Sequence, residues 1–300
     1  MRSMNVTRDI PSTRATIAAA RGAGRRIGFV PTMGALHAGH LSLVAAARRD
    51  GTYVVASIFV NPTQFGPHED FARYPRDTAG DLAKCQDAGV ELVFMPGAAD
   101  MYAPDAVTIL HVAGITDTLC GPSRPGHFDG VATVVAKLFN IVQPDAAYFG
   151  QKDAQQLAVI RRLVRDLDFP VAIIGCPTVR EPDGLAMSSR NALLSPDERQ
   201  RALVLIRALR AAQERIAAGE RRPASVLEHM HRIVAEGRPA KIDYLSIVDP
   251  ETMQPAGSIE RPVLVALAVR IGNTRLIDNV LIDPAEVSPT RRTTPASPPA

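Results

Sequence analysis

At 300 residues with 46% apolar content, the chain can bury one large core or two modest ones. Its 34 basic and 31 acidic residues nearly cancel to a formal net charge of +3, which excludes a polycation built for nucleic acid. No apolar run approaches the roughly 20 residues that span a bilayer, no signal-type segment is evident, and Cys85, Cys120 and Cys176 are too scattered for a metal site, so a cytoplasmic protein with free thiols is expected.

Through residue 178, apolar runs alternate with amphipathic ones. The pattern predicts helices over Pro11–Arg21, Leu41–Arg49, Thr78–Ala88, Val131–Val142 and Ala154–Leu167. Strands are predicted over Ile27–Val30, Tyr53–Val60, Leu92–Met95, Ala146–Phe149 and Val171–Cys176. Such alternation argues for an α/β fold, a Rossmann-like doubly wound parallel sheet covered on both faces, with ligands beyond the carboxyl ends of the strands. After Pro177 the pattern changes. Ser195-Pro196-Asp197-Glu198 is a capping box that opens a helix to about Ala218, followed by a second over Ala224–Glu236. Strands then follow at Ile242–Val248, Val263–Val269 and Arg275–Ile282, which makes a smaller α+β C-terminal domain. The expected division is 1–178, 179–283 and a disordered Pro-, Ser- and Thr-rich tail, 284–300.

Four segments carry chemistry. Pro31–His40 joins the first apolar strand to a helix, where free N–H groups and the helix dipole favour an anion. Gly34 and Gly39 allow close approach to the backbone, and His37 and His40, three apart, can reach one point. The His-x-Gly-His pattern resembles the signature of the nucleotidyl-transferase superfamily that includes class I aminoacyl-tRNA synthetases. Asn61 and Gln64, in the loop after the next strand, suit reading hydroxyls or a carboxylate without adding charge. Lys152 at a helix start calls for an anion, with Asp153 for ribose hydroxyls and Gln156 one turn on. Met187, Ser188, Ser189 and Arg190 make a Gly-anchored phosphate clamp at the domain junction. Taken singly, each also reads as an ordinary polar turn, linker or surface lysine. In this order they suit one ATP site.

Together, Pro31–His40, Phe59–Gly66, Arg124–Phe128, Phe149–Asp153, Asp183–Asn191 and Arg275–Asn279 resemble the pantothenate synthetase (pantoate–β-alanine ligase) family, from about Arg26 to Ile282. One departure is Gln151, where the family usually has Glu. The resemblance implies an ATP-dependent ligase that works through a pantoyl-adenylate and releases pyrophosphate and AMP. It implies His40, His37, Lys152 and Arg190 as catalytic, with Met33, Gly34, Gly39, Gly150, Lys152, Asp153, Val179 and Met187 through Arg190 on ATP. Gln64 and Gln156 would hold pantoate, and Gln64 with Arg124 β-alanine. Magnesium would arrive with ATP, without a protein ligand, and the enzyme would be a homodimer with no nucleic-acid or membrane partner. The alternative is another nucleotidyl transferase of this superfamily or a small class I synthetase, though nothing here is basic enough for an RNA-binding appendage. His68, His111, His127, His229 and His231 read as structural or solvent-exposed.

Overall fold

A computed structural model describes residues 4–67, 69 and 71–287. It divides into two compact units, Met1–Glu181 with Met187–Ser189, and Pro182–Ala186 with Arg190 onward. In the first unit the chain runs through β1 (Asn5–Thr7), α1 (Ile10–Gly22), β2 (Ile27–Thr32), α2 (Ala38–Arg49), β3 (Tyr53–Ile58), α3 (Thr78–Ala88), β4 (Leu92–Phe94), α4 (Ala98–Met101), α5 (His127–Val142), β5 (Ala146–Gly150), α6 (Ala154–Asp166) and β6 (Ala172–Cys176). The six strands form a sheet in the order β1-β4-β3-β2-β5-β6, and every pair is parallel. Val54, Val55, Leu92, Val93 and Phe94 are wholly excluded from solvent, as the two-sided cover of a parallel sheet requires. Each such side chain contributes about 1.5–3 kcal/mol of burial.

From β2 the chain steps to β3 on one side and later returns to place β5 on the other. The crevice of a doubly wound sheet lies at that reversal, beyond the carboxyl ends of β2 and β5. Pro31–His40 follows β2 and Gly150–Asp153 ends β5, so both segments meet there. Asn61–Gln64 follows β3, on the same edge.

The second unit comprises α7 (Pro196–Ala202), α8 (Val204–Ala217), α9 (Pro223–Glu236), β7 (Lys241–Val248), β8 (Val263–Ile271), β9 (Thr274–Ile282) and α10 (Pro284–Val287). Its antiparallel sheet, β7-β8-β9, shares one core with the helices through Leu205, Leu209, Ile216, Met230, Val265 and Leu267. Ser195 caps α7 with the reciprocal Glu198 bond, as the sequence predicts. The single long helix predicted to Ala218 is instead two, broken at Leu203. Gly237 at the end of α9 crosses there so closely that an added Cβ would lie 2.7 Å from Val204 and 2.9 Å from the Arg201 carbonyl. The expected disordered tail begins with four helical residues, Pro284–Val287. Residues 288–300 of that tail, and His68, lie outside the described residues. Among the described residues no helix is long and apolar enough to cross a membrane, and Cys85, Cys120 and Cys176 are buried thiols outside any disulfide.

Candidate active site

β2 hands the chain to a turn in which Gly34 and Ala35 both take positive φ, 81° and 49°. Two left-handed residues in succession aim adjacent N–H groups at one point, and Asp81 of α3 fills it. Ala35 N–H donates to its Oδ2 at 2.8 Å and Leu36 N–H to its Oδ1 at 2.7 Å, while the carboxylate is only 1% exposed. Lys84, three residues on, donates to the Leu36 carbonyl at 3.0 Å and stands 4.0 Å from Asp81. A Cβ on Gly34 would come within 2.9 Å of Asp81 Oδ2, so its space serves the carboxylate as well as the turn.

Helix α2 begins at Ala38, three residues before the predicted Leu41, because His37 caps it. The His37 Nδ1 accepts from Gly39 N–H at 3.1 Å, and His37 N–H donates to His40 Nδ1 at 3.3 Å. The two rings lie 4.1 Å apart. Because each Nδ1 accepts, each neutral ring carries its proton on Nε2 and can donate from there. Gly39 is small because the His37 ring would lie 2.9 Å from any Cβ. Burial, then the nearby His37, pushes His40 down to about 3. Burial and then Lys152 hold His37 below the ordinary histidine value. Both imidazoles are therefore neutral at physiological pH.

After β3, Asn61 is saturated. Its Oδ1 accepts from Thr63 N–H at 3.3 Å, Thr63 Oγ1 at 2.9 Å and Tyr102 OH at 2.8 Å. Its Nδ2 donates to Gly130 O and Gln64 Oε1, both at 3.1 Å. Gln64 in turn donates from Nε2 to Met33 Sδ at 3.1 Å, tying this loop to the histidine turn. The Gln64 carbonyl meets His127 Nδ1 at 2.9 Å, and His127 Nε2 meets Arg124 at 2.8 Å. Since Arg124 can only donate, His127 is a neutral ring protonated at Nδ1. Burial, then Arg124, pushes it down to about 4. Arg124 closes the network with a bidentate pair to Glu69 at 2.6 and 2.7 Å.

Lys152 and Asp153 sit in a tight turn, Gln151–Asp153, between β5 and α6. Both charges act on His37 and His40, and Asp153 also acts on His127. Thus Met33, Gly34, His37, Gly39, His40, Gln64, Arg124, Gly150, Lys152 and Asp153 gather at one edge of one sheet. Of the two glutamines opening α6, Gln155 is buried, bonded to Cys120 N–H, Ile115 O and Thr118 O at 2.8–2.9 Å, and Gln156 is half-buried. Val179 O accepts from Met187 N–H at 3.0 Å. Met187, Ser188 and Ser189 belong to the first unit and Arg190 to the second, whereas a boundary after residue 178 would put the whole loop in the second.

His127 does more than the packing its sequence setting suggests, since it links Arg124 to Gln64. Asp81, Lys84, Glu69 and Tyr102 were not singled out by the sequence. Asp81 had a signal, because it shares the buried face of α3 with Cys85, four residues on. A carboxylate on an apolar stripe needs a partner.

A family model, Pantoate-beta-alanine ligase, matches residues 5–281. The pantothenate synthetase of Moorella thermoacetica is 55% identical over 280 residues, covering 93% of this chain and 99% of that protein. That of Heliobacterium modesticaldum is 57% identical over 260 residues, covering 87% and 92%. A crystal structure of pantothenate synthetase from Thermus thermophilus aligns with TM-score 0.88 at 49% identity, covering 95% of this chain and 100% of that one. A pantoate-beta-alanine ligase from Francisella tularensis, complexed with beta-gamma ATP and beta-alanine, aligns with TM-score 0.78 at 35% identity, covering 94% and 100%. With its histidine turn, its glutamine loop and its lysine turn on one sheet edge, and with this match along nearly its whole length, the chain belongs to the pantoate–β-alanine ligase family.

Proposed function

We propose that this ATP-dependent ligase joins pantoate to β-alanine in two steps. In the first, a pantoate carboxylate oxygen attacks the α-phosphorus of ATP, the α–β phosphoanhydride bond breaks, and pyrophosphate leaves. In the second, the neutral amine of β-alanine attacks the acyl carbonyl, the C–N bond forms, AMP leaves with the C–O electron pair, and the amine proton passes to solvent. The observation that carries this reading is the pair of neutral, backbone-anchored imidazoles at the start of α2, within electrostatic reach of Lys152.

Charge develops on non-bridging and leaving oxygens during adenylation, so preorganised donors are the effective groups. His40 and His37 supply Nε2–H donors without titrating, and Lys152 supplies a full positive charge. Gln64 and Gln156 hold pantoate without charge, so its carboxylate stays ionised and nucleophilic. Met33, Gly34, Gly39, Gly150, Asp153, Val179, Met187, Ser188 and Ser189 line the nucleotide, and Arg190 neutralises leaving pyrophosphate. Gln64 and Arg124 receive β-alanine. Among the described residues no group of three or more His, Cys, Asp or Glu side chains could hold a metal ion, and both Asp81 oxygens are taken by backbone N–H groups. Magnesium would come coordinated by the phosphates of ATP and by water. In this reading the enzyme is a cytoplasmic homodimer.

The test is isotope exchange. Labelled pyrophosphate should enter ATP when pantoate is present and β-alanine absent, and His40→Ala should slow that exchange about a hundredfold, the scale of one lost oxyanion-type donor. Exchange that demands β-alanine would overturn the adenylate. Exchange supported by an amino acid in place of pantoate would point instead to a synthetase-like enzyme.

A further inference from the structure

In the proposed reaction Arg124 receives β-alanine, yet its guanidinium already holds a carboxylate. Glu69 lies across the Nε–Nη2 edge, with Oε1 at 2.6 Å and Oε2 at 2.7 Å, the fork geometry by which arginine recognises a carboxylate. The remaining nitrogen, Nη1, meets His127 Nε2 at 2.8 Å, and His127 is itself anchored to the Gln64 carbonyl. The guanidinium plane is thus held from the His127 side, and its Nε–Nη2 edge keeps its aim whichever carboxylate it meets.

Glu69 is the replaceable member of the pair. It ends a turn from Gly66, its N–H donating to the Gly66 carbonyl at 3.0 Å, and its side chain is 26% exposed against 16% for Arg124. Among the described residues the other hydrogen bond of its carboxylate is a long one, 3.3 Å from Gly66 N–H. Asp81, by contrast, is sealed from solvent and pinned by two backbone N–H groups at 2.8 and 2.7 Å. The side chain of a glutamate beyond Cα is two methylenes and a carboxylate, and β-alanine is an amine on the same two methylenes and carboxylate. Glu69 therefore shows Arg124 the outline of β-alanine, with Cα where the amine stands. Exchange of one carboxylate for the other leaves the charge at Arg124 balanced throughout.

We propose that Glu69 is a built-in competitor for the Arg124 subsite, which occupies the guanidinium until the carboxylate of β-alanine displaces it. The inference rests on the reading of Arg124 as a β-alanine contact and deepens it. Arg124 is then paired during the first step, when β-alanine is not required. The apparent affinity for β-alanine is reduced by the fraction of molecules in which Glu69 holds the fork. An amine without a carboxylate cannot open the pair, so Glu69 favours amino acids over simple amines.

Steady-state kinetics at saturating ATP and pantoate test this. Glu69→Ala should lower the β-alanine KM about three- to tenfold, since it removes the competing carboxylate. Pyrophosphate exchange with pantoate and without β-alanine should stay within about twofold of wild type. Glu69→Gln, which keeps the shape and loses the charge, should also lower the β-alanine KM, and it decides the matter if Glu69→Ala does not fold. In an Arg124→Ala background Glu69→Ala should bring no gain, because residues acting through one another are not additive. An unchanged or higher β-alanine KM would overturn the competitor, and so would a raised pantoate KM in the exchange, the mark of a brace for the Gln64 loop. If Arg124→Ala alone leaves the β-alanine KM unchanged, the β-alanine reading of Arg124 fails first and takes the competitor with it.

Discussion

His37 and His40 occupy the two positions of a helix start where a capping box ordinarily carries Ser or Thr and then Glu or Gln, and they do the same capping work with imidazole nitrogens. The substitution has an electrostatic consequence. A ring whose Nδ1 accepts a backbone N–H, and which is buried beside another imidazole and a lysine, resists protonation. His40 is pushed to about 3 and His127 to about 4, whereas the same residues unfolded titrate near 6.5. Below that value the unfolded chain binds protons the folded chain refuses, so stability falls as pH drops from about 6.5 toward 4. The expected loss is roughly 1–2 kcal/mol per ring at about pH 5. Urea unfolding at about pH 7.5 and pH 5 measures it, and His127→Gln should shrink the difference by about half. Equal stability at both pH values would show that these rings are protonated in the folded state. The histidine turn itself was legible from residue types, since glycines and two imidazoles between a strand and a helix suit few purposes. Its protonation state was not, because it depends on burial and on Lys152, more than a hundred positions away.

Helix α3 holds that turn from below, and it makes no other contribution to the chemistry proposed here. Asp81→Ala would strand the Ala35 and Leu36 N–H groups and should cost about 2–5 kcal/mol of stability, read as a lower denaturant midpoint. Asp81→Asn, which keeps an acceptor, should lose less, and if both variants match the wild type the two short bonds carry no weight. Elements like α3 are predictable as elements, but what they support is not. The bond from Asp81 to Leu36 crosses 45 positions, and neither end advertises the other. The same holds for the 55 positions between Glu69 and Arg124. Strands of the parallel sheet were readable because both faces are buried and their apolar runs are nearly continuous. β1 was not, since Asn5–Thr7 is a short edge strand with two exposed residues. The break at Leu203 was equally hidden: the close neighbour there, Gly237, lies at the end of another helix.

At the scale of the whole molecule, the largest apolar exposures among the described residues are Val107 at 90% and Ile109 at 70%, two residues apart in an irregular segment after α4. In the homodimer proposed above, these two side chains are expected to be buried between the copies. Val107→Asp with Ile109→Asp should halve the mass measured by light scattering while leaving the fold intact. A wild-type chain that scatters as a monomer at micromolar concentration would sink the dimer.

The segment between Glu181 and Arg190 crosses from one compact unit to the other three times, giving Pro182–Ala186 to the second and Met187–Ser189 back to the first. The two units are therefore stitched rather than joined end to end. No single cut of the chain yields both whole: a fragment ending at Glu181 lacks three residues that belong to it, and its complement carries them away. Expression of either half alone, or a graft of the second unit onto an unrelated partner, would separate groups that the backbone keeps interleaved.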